Sequence, residues 1–269
     1  MSVSAAGLAH SASSGGPTAI GLTNGGTRLV SFDTDTPGKA KPVGAVSGLS
    51  GDAKLVGIDR RVQNGKLYGL GNSGGIYTLS ATSGRATKVG QLSVPLDGTL
   101  FGVDFNPAAN ALRVVSNTGQ NLRQPFGTTD GPTVPTVVDG PLSYPATPTA
   151  PASTPTGVTA AAYTNNDLNA DTATTLFVID TTLDQVDIQS PANAGTLVTT
   201  GKLGVPNWAD AGFDIYSKLS QGKTKSVKAY AVFGINGQYT LNSVDLLTGA
   251  AKSQGRFAYS VLDIAIDLD

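Results

Sequence analysis

A repeated unit of three short strands is the feature that most constrains the fold of this chain. The segments AIGLTNGGTRLVSFDTDTPGKAKPVGAVS (19–47) and LYGLGNSGGIYTLSATSGRATKVGQLS (67–93) match strand for strand. Each turns first at Asn/Gly and then at Thr/Ser-Gly, as tight hairpins require, and its third strand ends in Val-Gly. Segments that begin at Leu112, Leu176 and Ala229 continue the series. The sequence therefore predicts five copies of one β unit.

A fourth short strand precedes four of the five triplets. These strands end in LVGID, LFGVD, TAAA and AGFD, and a fifth, IAID, closes the series at Asp267 with a spacing of about 45 to 58 residues. The first triplet has no such strand ahead of it, whereas the chain ends with the spare strand VLDIAIDLD. Pairing the spare strand with the first triplet would leave no open sheet edge. We predict an all-β, five-bladed β-propeller closed by the C-terminal strand, because a β-sandwich or β-helix explains neither irregularity.

The composition limits the chemistry that such a fold can carry. The chain of 269 residues has 34 Gly, no Cys and a single His, His10, and all 19 acidic residues are Asp. These absences exclude the usual zinc sites, a Ser-His-Asp triad and a histidine base within residues 19–269. The net charge of −1 and scattered basic residues predict no nucleic-acid partner, and no apolar run is long enough for a membrane span.

The N-terminal residues differ from the repeats. Residues 1–18 are small, polar and rich in Gly and Ser, and Gly7-Leu8-Ala9 is similar to the end of a secretory signal. We interpret 1–18 as a disordered leader or signal remnant and 19–269 as a single propeller domain. Any flexible tail would have a similar composition.

Three segments carry a resemblance to a known family. GVDFNPAANALRVVSNTGQNLR (102–123), AAYTNN (161–166) and LVGIDRR…GKLYGLG (55–71) resemble the signature segments of a bacterial domain-of-unknown-function family, number 4394. Its members are usually exported, so the resemblance implies export and the fold over residues 19–267. It implies no activity. Where members often have GIDFRP, this chain has GIDRRV at 57–62.

One blade departs from the repeat. Ile20, Tyr68, Arg113, Phe177 and Tyr230 fall at one equivalent position, and only Arg113 is charged. A buried guanidinium must be paired and hydrogen-bonded. Arg113 is therefore expected either to bind an inner-strand Asp, as a structural ion pair between blades, or to face a polar cavity where a ligand binds.

The Asp residues that end the inner strands form a second candidate site. Asp59, Asp104, Asp214 and Asp267 are predicted at equivalent places around the ring, with Ala162 in the gap. Each Asp could cap its own turn. Alternatively, the carboxylates could line a channel that takes up Ca²⁺, with Asp104 and Asp214 as ligands, or they could be catalytic.

A polar surface is predicted on the face where the inner strands begin. The hairpin NTGQN (117–121) carries clustered amides, and GVPNWADAG (204–212) carries the only Trp. Amides fix sugar hydroxyls and an aromatic ring stacks on apolar sugar faces. The candidate ligand-binding residues are Arg113, Asn117, Gln120, Asn121, Arg123, Tyr163, Asn165 and Trp208.

Two functions compete. A secreted, non-catalytic propeller would recognise a glycan, a surface polymer or a protein through one face. A glycoside-active enzyme would use inner-strand Asp residues as acid and as base or nucleophile. The first hypothesis fits the lack of Glu and of any His outside the leader, and fold analogy alone is weak support for the second.

Overall fold

The computed structural model describes residues 15–205 and 210–269, which form twenty β-strands and three short 3-10 segments. The strands are β1 (Thr18–Thr23), β2 (Arg28–Asp33), β3 (Lys41–Ala45), β4 (Leu55–Arg60), β5 (Leu67–Gly71), β6 (Gly75–Leu79), β7 (Ala86–Gln91), β8 (Phe101–Asn106), β9 (Ala111–Ser116), β10 (Asn121–Pro125), β11 (Val137–Val138), β12 (Val158–Tyr163), β13 (Leu176–Asp180), β14 (Gln185–Gln189), β15 (Leu197–Lys202), β16 (Ala211–Ser220), β17 (Lys223–Ile235), β18 (Gln238–Val244), β19 (Ala251–Arg256) and β20 (Val261–Ile266). The 3-10 segments are Asn24–Gly26, Pro37–Lys39 and Ala192–Ala194.

The strands form five antiparallel four-stranded sheets, which are the blades of a β-propeller. Blade 1 has the order β20-β1-β2-β3, and the next four blades are β4 to β7, β8 to β11, β12 to β15 and β16 to β19. The first strand named in each blade lies innermost. The predicted fold class is therefore confirmed.

Ring closure depends on the C-terminal strand. β20 pairs antiparallel with β1, with Ile266 opposite Ala19 and Val261 opposite Thr23. The last strand thus completes the blade that the first strand begins, as the spare and missing strands predict.

We call the face where inner strands begin the upper face and the face where they end the lower face.

The hydrophobic core lies between blades rather than within them. One buried cluster joins Ile20 and Leu29 of blade 1 to Ile58 and Tyr77 of blade 2, and another joins Phe177 of blade 4 to blade 5. A fully buried side chain of this size contributes about 1.5 to 3 kcal/mol. Each blade is therefore stabilised by its neighbours.

Glycines on the outer strands explain the recurring Val-Gly ends. The turn between the third and fourth strands of each blade packs on the outer strand of the preceding blade. A Cβ at Gly44 of β3 would collide with the backbone of Ser83, and one at Gly201 of β15 would collide with Thr248. Only glycine lets the neighbouring turn approach so closely.

One sequence expectation lies largely outside the described residues. Most of the predicted leader precedes Gly15, and the first strand begins at Thr18. Within 15–205 and 210–269, no helical segment has the length and apolarity needed to cross a membrane.

Candidate functional site: aspartates at the propeller axis

The strand register confirms which residues are equivalent around the ring. Asp59 lies opposite Tyr68, Asp104 opposite Arg113 and Asp214 opposite Tyr230. The other two positions hold alanines. These are Ala162 opposite Phe177 and Ala265 opposite Ile20.

Each of the three aspartates bonds to the backbone of the next blade. The Phe105 amide donates to Asp59 Oδ2 at 2.7 Å, and the Tyr163 amide donates to Asp104 Oδ1 at 3.0 Å. The Ile266 amide donates to Asp214 Oδ2 at 2.6 Å. The carboxylates therefore join adjacent inner strands, which differs from the turn-capping role considered for them.

The two alanine-bearing blades use other residues for the same purpose. In blade 1 the carboxylate lies two residues earlier, and the Ile58 amide donates to Asp263 Oδ2 at 2.8 Å. In blade 4, Asn166 Nδ2 donates to the Ile215 carbonyl at 3.0 Å. Every junction between neighbouring inner strands thus carries a polar side-chain contact.

Asp267 does not occupy the position that the sequence predicts for it. Ala265 pairs with Ile20 as Asp59 pairs with Tyr68, so Ala265 is the residue equivalent to Asp59. The comparison of sequences aligned β20 two residues too far toward the C-terminus and therefore selected Asp267. The Asp267 carboxylate instead forms an ion pair with Arg60 and a hydrogen bond with the Thr18 hydroxyl, and its side chain is 41% exposed. It is not part of the aspartate cluster.

A glycine two residues before each cluster aspartate allows the blades to approach. A Cβ at Gly57 would lie 2.5 Å from Val103 Cγ2 of the next blade, and one at Gly102 would lie 2.5 Å from the Ala161 nitrogen. Gly212 meets Asp263 in the same way. The motif Gly-x-Asp therefore brings the neighbouring strand close and then hydrogen-bonds it.

Three carboxylates converge at the axis. Asp59, Asp104 and Asp214 each offer an oxygen, and these oxygens all lie within 4.8 Å of one another. Burial raises the pKa of Asp59 and Asp104 well above the ordinary value, and repulsion from neighbouring carboxylates adds to it. Burial also raises the pKa of Asp214, to about 6, although two backbone hydrogen bonds and the charge of Arg60 act against the rise. The cluster thus favours protons or a cation.

The donor set of the cluster fits a hard cation in part. Asp104 accepts one backbone hydrogen bond, from Tyr163, whereas Asp59 accepts backbone hydrogen bonds from Phe105 and Arg60, and both oxygens of Asp214 accept backbone hydrogen bonds. Carboxylate oxygens are suitable ligands for Ca²⁺. The expectation of Ca²⁺ at Asp104 and Asp214 stays a prediction, and the convergence of the three carboxylates adds Asp59 to the possible ligands.

A small cavity opens above the cluster on the upper face. Its volume is about 90 Å³, and its lining includes Lys54, Asp210 and Asp263. Burial raises the pKa of Asp210 to about 6, and burial raises the pKa of Asp263 well above its ordinary value. The cavity has room for waters or an ion rather than a sugar ring.

Arg113 is an inter-blade clamp. It is 1% exposed, and its Nη1 donates to Asp139 Oδ2 at 2.8 Å and to Asn121 Oδ1 at 2.7 Å. Nη2 donates to Asn193 Oδ1 of blade 4 at 2.8 Å, and Nε donates to the Tyr163 hydroxyl at 3.3 Å. All three nitrogens are thus occupied, so the structure favours the structural alternative over ligand contact. The ion pair differs from the expected one, because Asp139 follows the outer strand of blade 3 itself and the contacts with blade 4 are hydrogen bonds.

The predicted amide surface is also used internally. Asn117 Oδ1 accepts from the amides of Thr99 and Leu100, and Gln120 bonds to the backbone of Pro95 and Asp97. These contacts hold the loop that precedes β8.

The remaining candidates are divided between the clamp and the loops around it. Arg123 joins the clamp through Asp139, with Nε 3.1 Å from Oδ2. Tyr163 is 2% exposed. Asn165 adopts φ 62° and its amide donates to the Ala173 carbonyl. Trp208 lies outside the described residues.

A second acidic cluster was not predicted from the sequence. The Tyr144 hydroxyl lies 2.9 Å from Asp180 Oδ2 and 2.7 Å from Asp187 Oδ2, and both carboxylates are buried. Burial raises the pKa of Asp187 to about 6. The Tyr144 hydroxyl has one hydrogen and cannot donate it to two ionised carboxylates. Tyr144 therefore holds the segment that leads into β12 most firmly when one of the two aspartates is protonated. Because Tyr144 lies in a Pro/Thr/Ala-rich stretch, its sequence context gave no signal of this contact.

The fold and the axial cluster define a closed five-bladed β-propeller with carboxylates at its centre. The family described as "Domain of unknown function (DUF4394)" matches residues 28–265. The chain belongs to this family, as the signature segments imply. No curated protein matches the chain at a significant level.

Solved structures with a similar fold are distant in sequence. A protein of unknown function from Bacteroides thetaiotaomicron is 16% identical with a TM-score of 0.52, and the match covers 96% of this chain and 63% of that one. An auxiliary nutrient binding protein from the same organism is 12% identical with a TM-score of 0.46, covering 89% of this chain and 57% of that one. A protein from Lactobacillus plantarum is 12% identical with a TM-score of 0.42, covering 93% and 99%. The chain thus spans less than two thirds of the two Bacteroides proteins, and these similarities concern the fold alone.

Proposed function

We propose that this protein is an exported, non-catalytic propeller that binds a glycan or another polymer of the cell surface. The observation that carries the proposal is the use of the axial aspartates. Asp59, Asp104 and Asp214 each accept a backbone hydrogen bond from the neighbouring blade. Groups committed in this way serve the scaffold, which leaves recognition to open clefts away from the axis.

The dimensions of the cavities support binding away from the axis. The cavity above the cluster has a volume of about 90 Å³, whereas an open cleft on blade 2 measures about 700 Å³. Ligand sites commonly fall between about 300 and 1,000 Å³. A sugar ring fits the cleft and does not reach the carboxylates through the cavity.

The glycosidase alternative has one supporting observation. Three carboxylates with raised pKa values lie within 4.8 Å of one another, and such a group could supply an acid and a nucleophile. Access opposes this alternative, because Asp104 is 2% exposed and the cavity above it is too small for a sugar.

A binding experiment with a turnover control tests the proposal. The purified chain is applied to a glycan array and to isolated bacterial cell walls, and the supernatants are analysed for released sugars. We expect retention without release. Release of sugars that disappears in the Asp104→Asn variant would contradict the proposal and favour the enzyme. Export is tested separately by fractionation of cells that express the native gene.

A further inference from the structure

A polar cleft on blade 2 has the features of a ligand site. It opens on the lower face, has a volume of about 700 Å³, and is lined entirely by residues of β4, β5, β6, β7 and their turns. Leu67 and Leu79 form its apolar part. Thr78 and Thr87 face each other across β6 and β7 and add hydroxyl groups.

The charges in the cleft have one sign. Arg60, Lys66 and Arg85 line it, and no carboxylate does. Arg60 is paired with Asp267 and Lys66 with Asp130, but neither acid is in the lining. Across 15–205 and 210–269, Arg85 has no carboxylate within 4.0 Å. Its guanidinium is exposed and is therefore free to receive an anion.

Arg60 is a departure from the chain's own repeat. The equivalent residue in blade 3 is Phe105, which follows Asp104 as Arg60 follows Asp59. Arg60 Nε is buried and has no hydrogen-bond partner among the described residues. A buried donor without a partner is costly, so it calls for a compensating contact.

We propose that this cleft binds an anionic oligosaccharide, one that carries carboxylate or sulfate groups. Arg85 and Lys66 would receive the negative charges, and the hydroxyls of Thr78 and Thr87 would bond to sugar hydroxyls. This inference rests on the proposed function and names the class of glycan and its site.

The test compares three hexasaccharides by isothermal titration calorimetry. They are an oligogalacturonate, a heparin-derived oligosaccharide and neutral maltohexaose. We expect at least one anionic ligand to bind about ten-fold tighter than the neutral one, and its affinity to fall as salt is raised. The comparison of the two anionic ligands distinguishes carboxylate from sulfate recognition.

Charge-removal variants locate the site. Arg85→Ala should weaken anionic binding about ten-fold, whereas Lys252→Ala, an exposed charge on β19, should leave it unchanged. Unchanged binding in both Arg85→Ala and Lys66→Ala would overturn the assignment of the cleft. Equal affinity for neutral and anionic ligands, or no binding of either anionic ligand, would overturn the charge preference. The array and cell-wall experiment decides the proposed function independently of both results.

Discussion

The Ile58 amide donates a hydrogen bond of 2.8 Å to the carboxylate of Asp263, so the last strand of the chain contacts the inner strand of blade 2 as well as β1. On its other side, the Ile266 amide of the same strand donates to Asp214 of blade 5, so the closing strand belongs to the interfaces of blade 1 with both neighbouring blades. Its loss should be felt on both sides of blade 1.

Deletion of residues 261–269 should abolish cooperative folding. The deletion removes the inner strand of blade 1, exposes the edge of β1, and leaves the Ile58 amide of β4 without its carboxylate partner. We expect aggregation or a broad thermal transition by circular dichroism. The point variant Asp263→Asn, which keeps an acceptor oxygen, serves as a folded control. A deleted chain that melts like the parent would contradict ring closure by β20.

Stability should fall as pH rises. The folded-state pKa values of Asp59, Asp104, Asp214 and Asp263 are all raised. A raised carboxyl pKa contributes stability that is present below the unfolded value of 3.8 and is lost as pH rises through the folded value, which is about 6 for Asp214. Urea unfolding at several pH values between about 4 and 8 measures this dependence.

The variant Asp104→Asn should reduce that pH dependence. It removes one of the converging charges and keeps an oxygen for the Tyr163 amide. Asp245→Asn is the matched control, because the pKa of Asp245 is lowered by backbone hydrogen bonds and its side chain is on the surface. Equal pH profiles for parent and Asp104→Asn would show that the axial charges do not control stability.

Calcium should stabilise the protein at alkaline pH if the axial carboxylates bind it. Ionised Asp59, Asp104 and Asp214 would present carboxylate oxygens that lie within 4.8 Å of one another to a cation. Binding to the folded state alone raises the melting temperature by mass action. We expect a higher melting temperature with Ca²⁺, reversed by EDTA and absent in Asp104→Asn. An EDTA-insensitive parent would refute calcium binding and leave shared protons as the means of neutralisation.

Replacing Arg113 by Tyr should destabilise the protein. The change leaves Asp139 paired only with Arg123 and removes the bond to Asn193 of blade 4. Breaking a buried pair in this way costs about 3 to 5 kcal/mol. Urea unfolding of Arg113→Tyr and of the half-exposed control Arg123→Lys measures the difference. A fully stable Arg113→Tyr variant would contradict the clamp.

Local repeats carried most of the fold in the sequence. The turns and the Val-Gly ends recur within each repeat, so they predicted five blades. The spare C-terminal strand and the strand missing before the first triplet predicted how the ring closes. The sequence also placed Arg113 at one equivalent position with Ile20, Tyr68, Phe177 and Tyr230, which the register confirms.

Contacts between blades were less predictable. The inner strands were aligned in the sequence by their last residues, and this alignment assigned Asp267 to the axial cluster. In the structure Asp263, which lies opposite Leu22, is the residue of β20 that reaches the axial region. Asp139 and Asn193, which bind Arg113, and the partners of Asn117 and Gln120 lie outside the β-strands, so sequence reasoning assigned these residues to a ligand. The Gly-x-Asp motif recurs in the sequence of three inner strands. This recurrence could have predicted the contacts between neighbouring inner strands.

The glycines of the outer strands and the aspartates of the inner strands act at two different distances from the axis. Two contacts at different radii fix the angle between neighbouring blades as well as their separation. Each junction therefore behaves as a wedge of one fifth of a turn, and the number of blades is a property of the junction. A sixth copy of the repeat inserted into this chain would not be accommodated in the ring unless both contacts changed together.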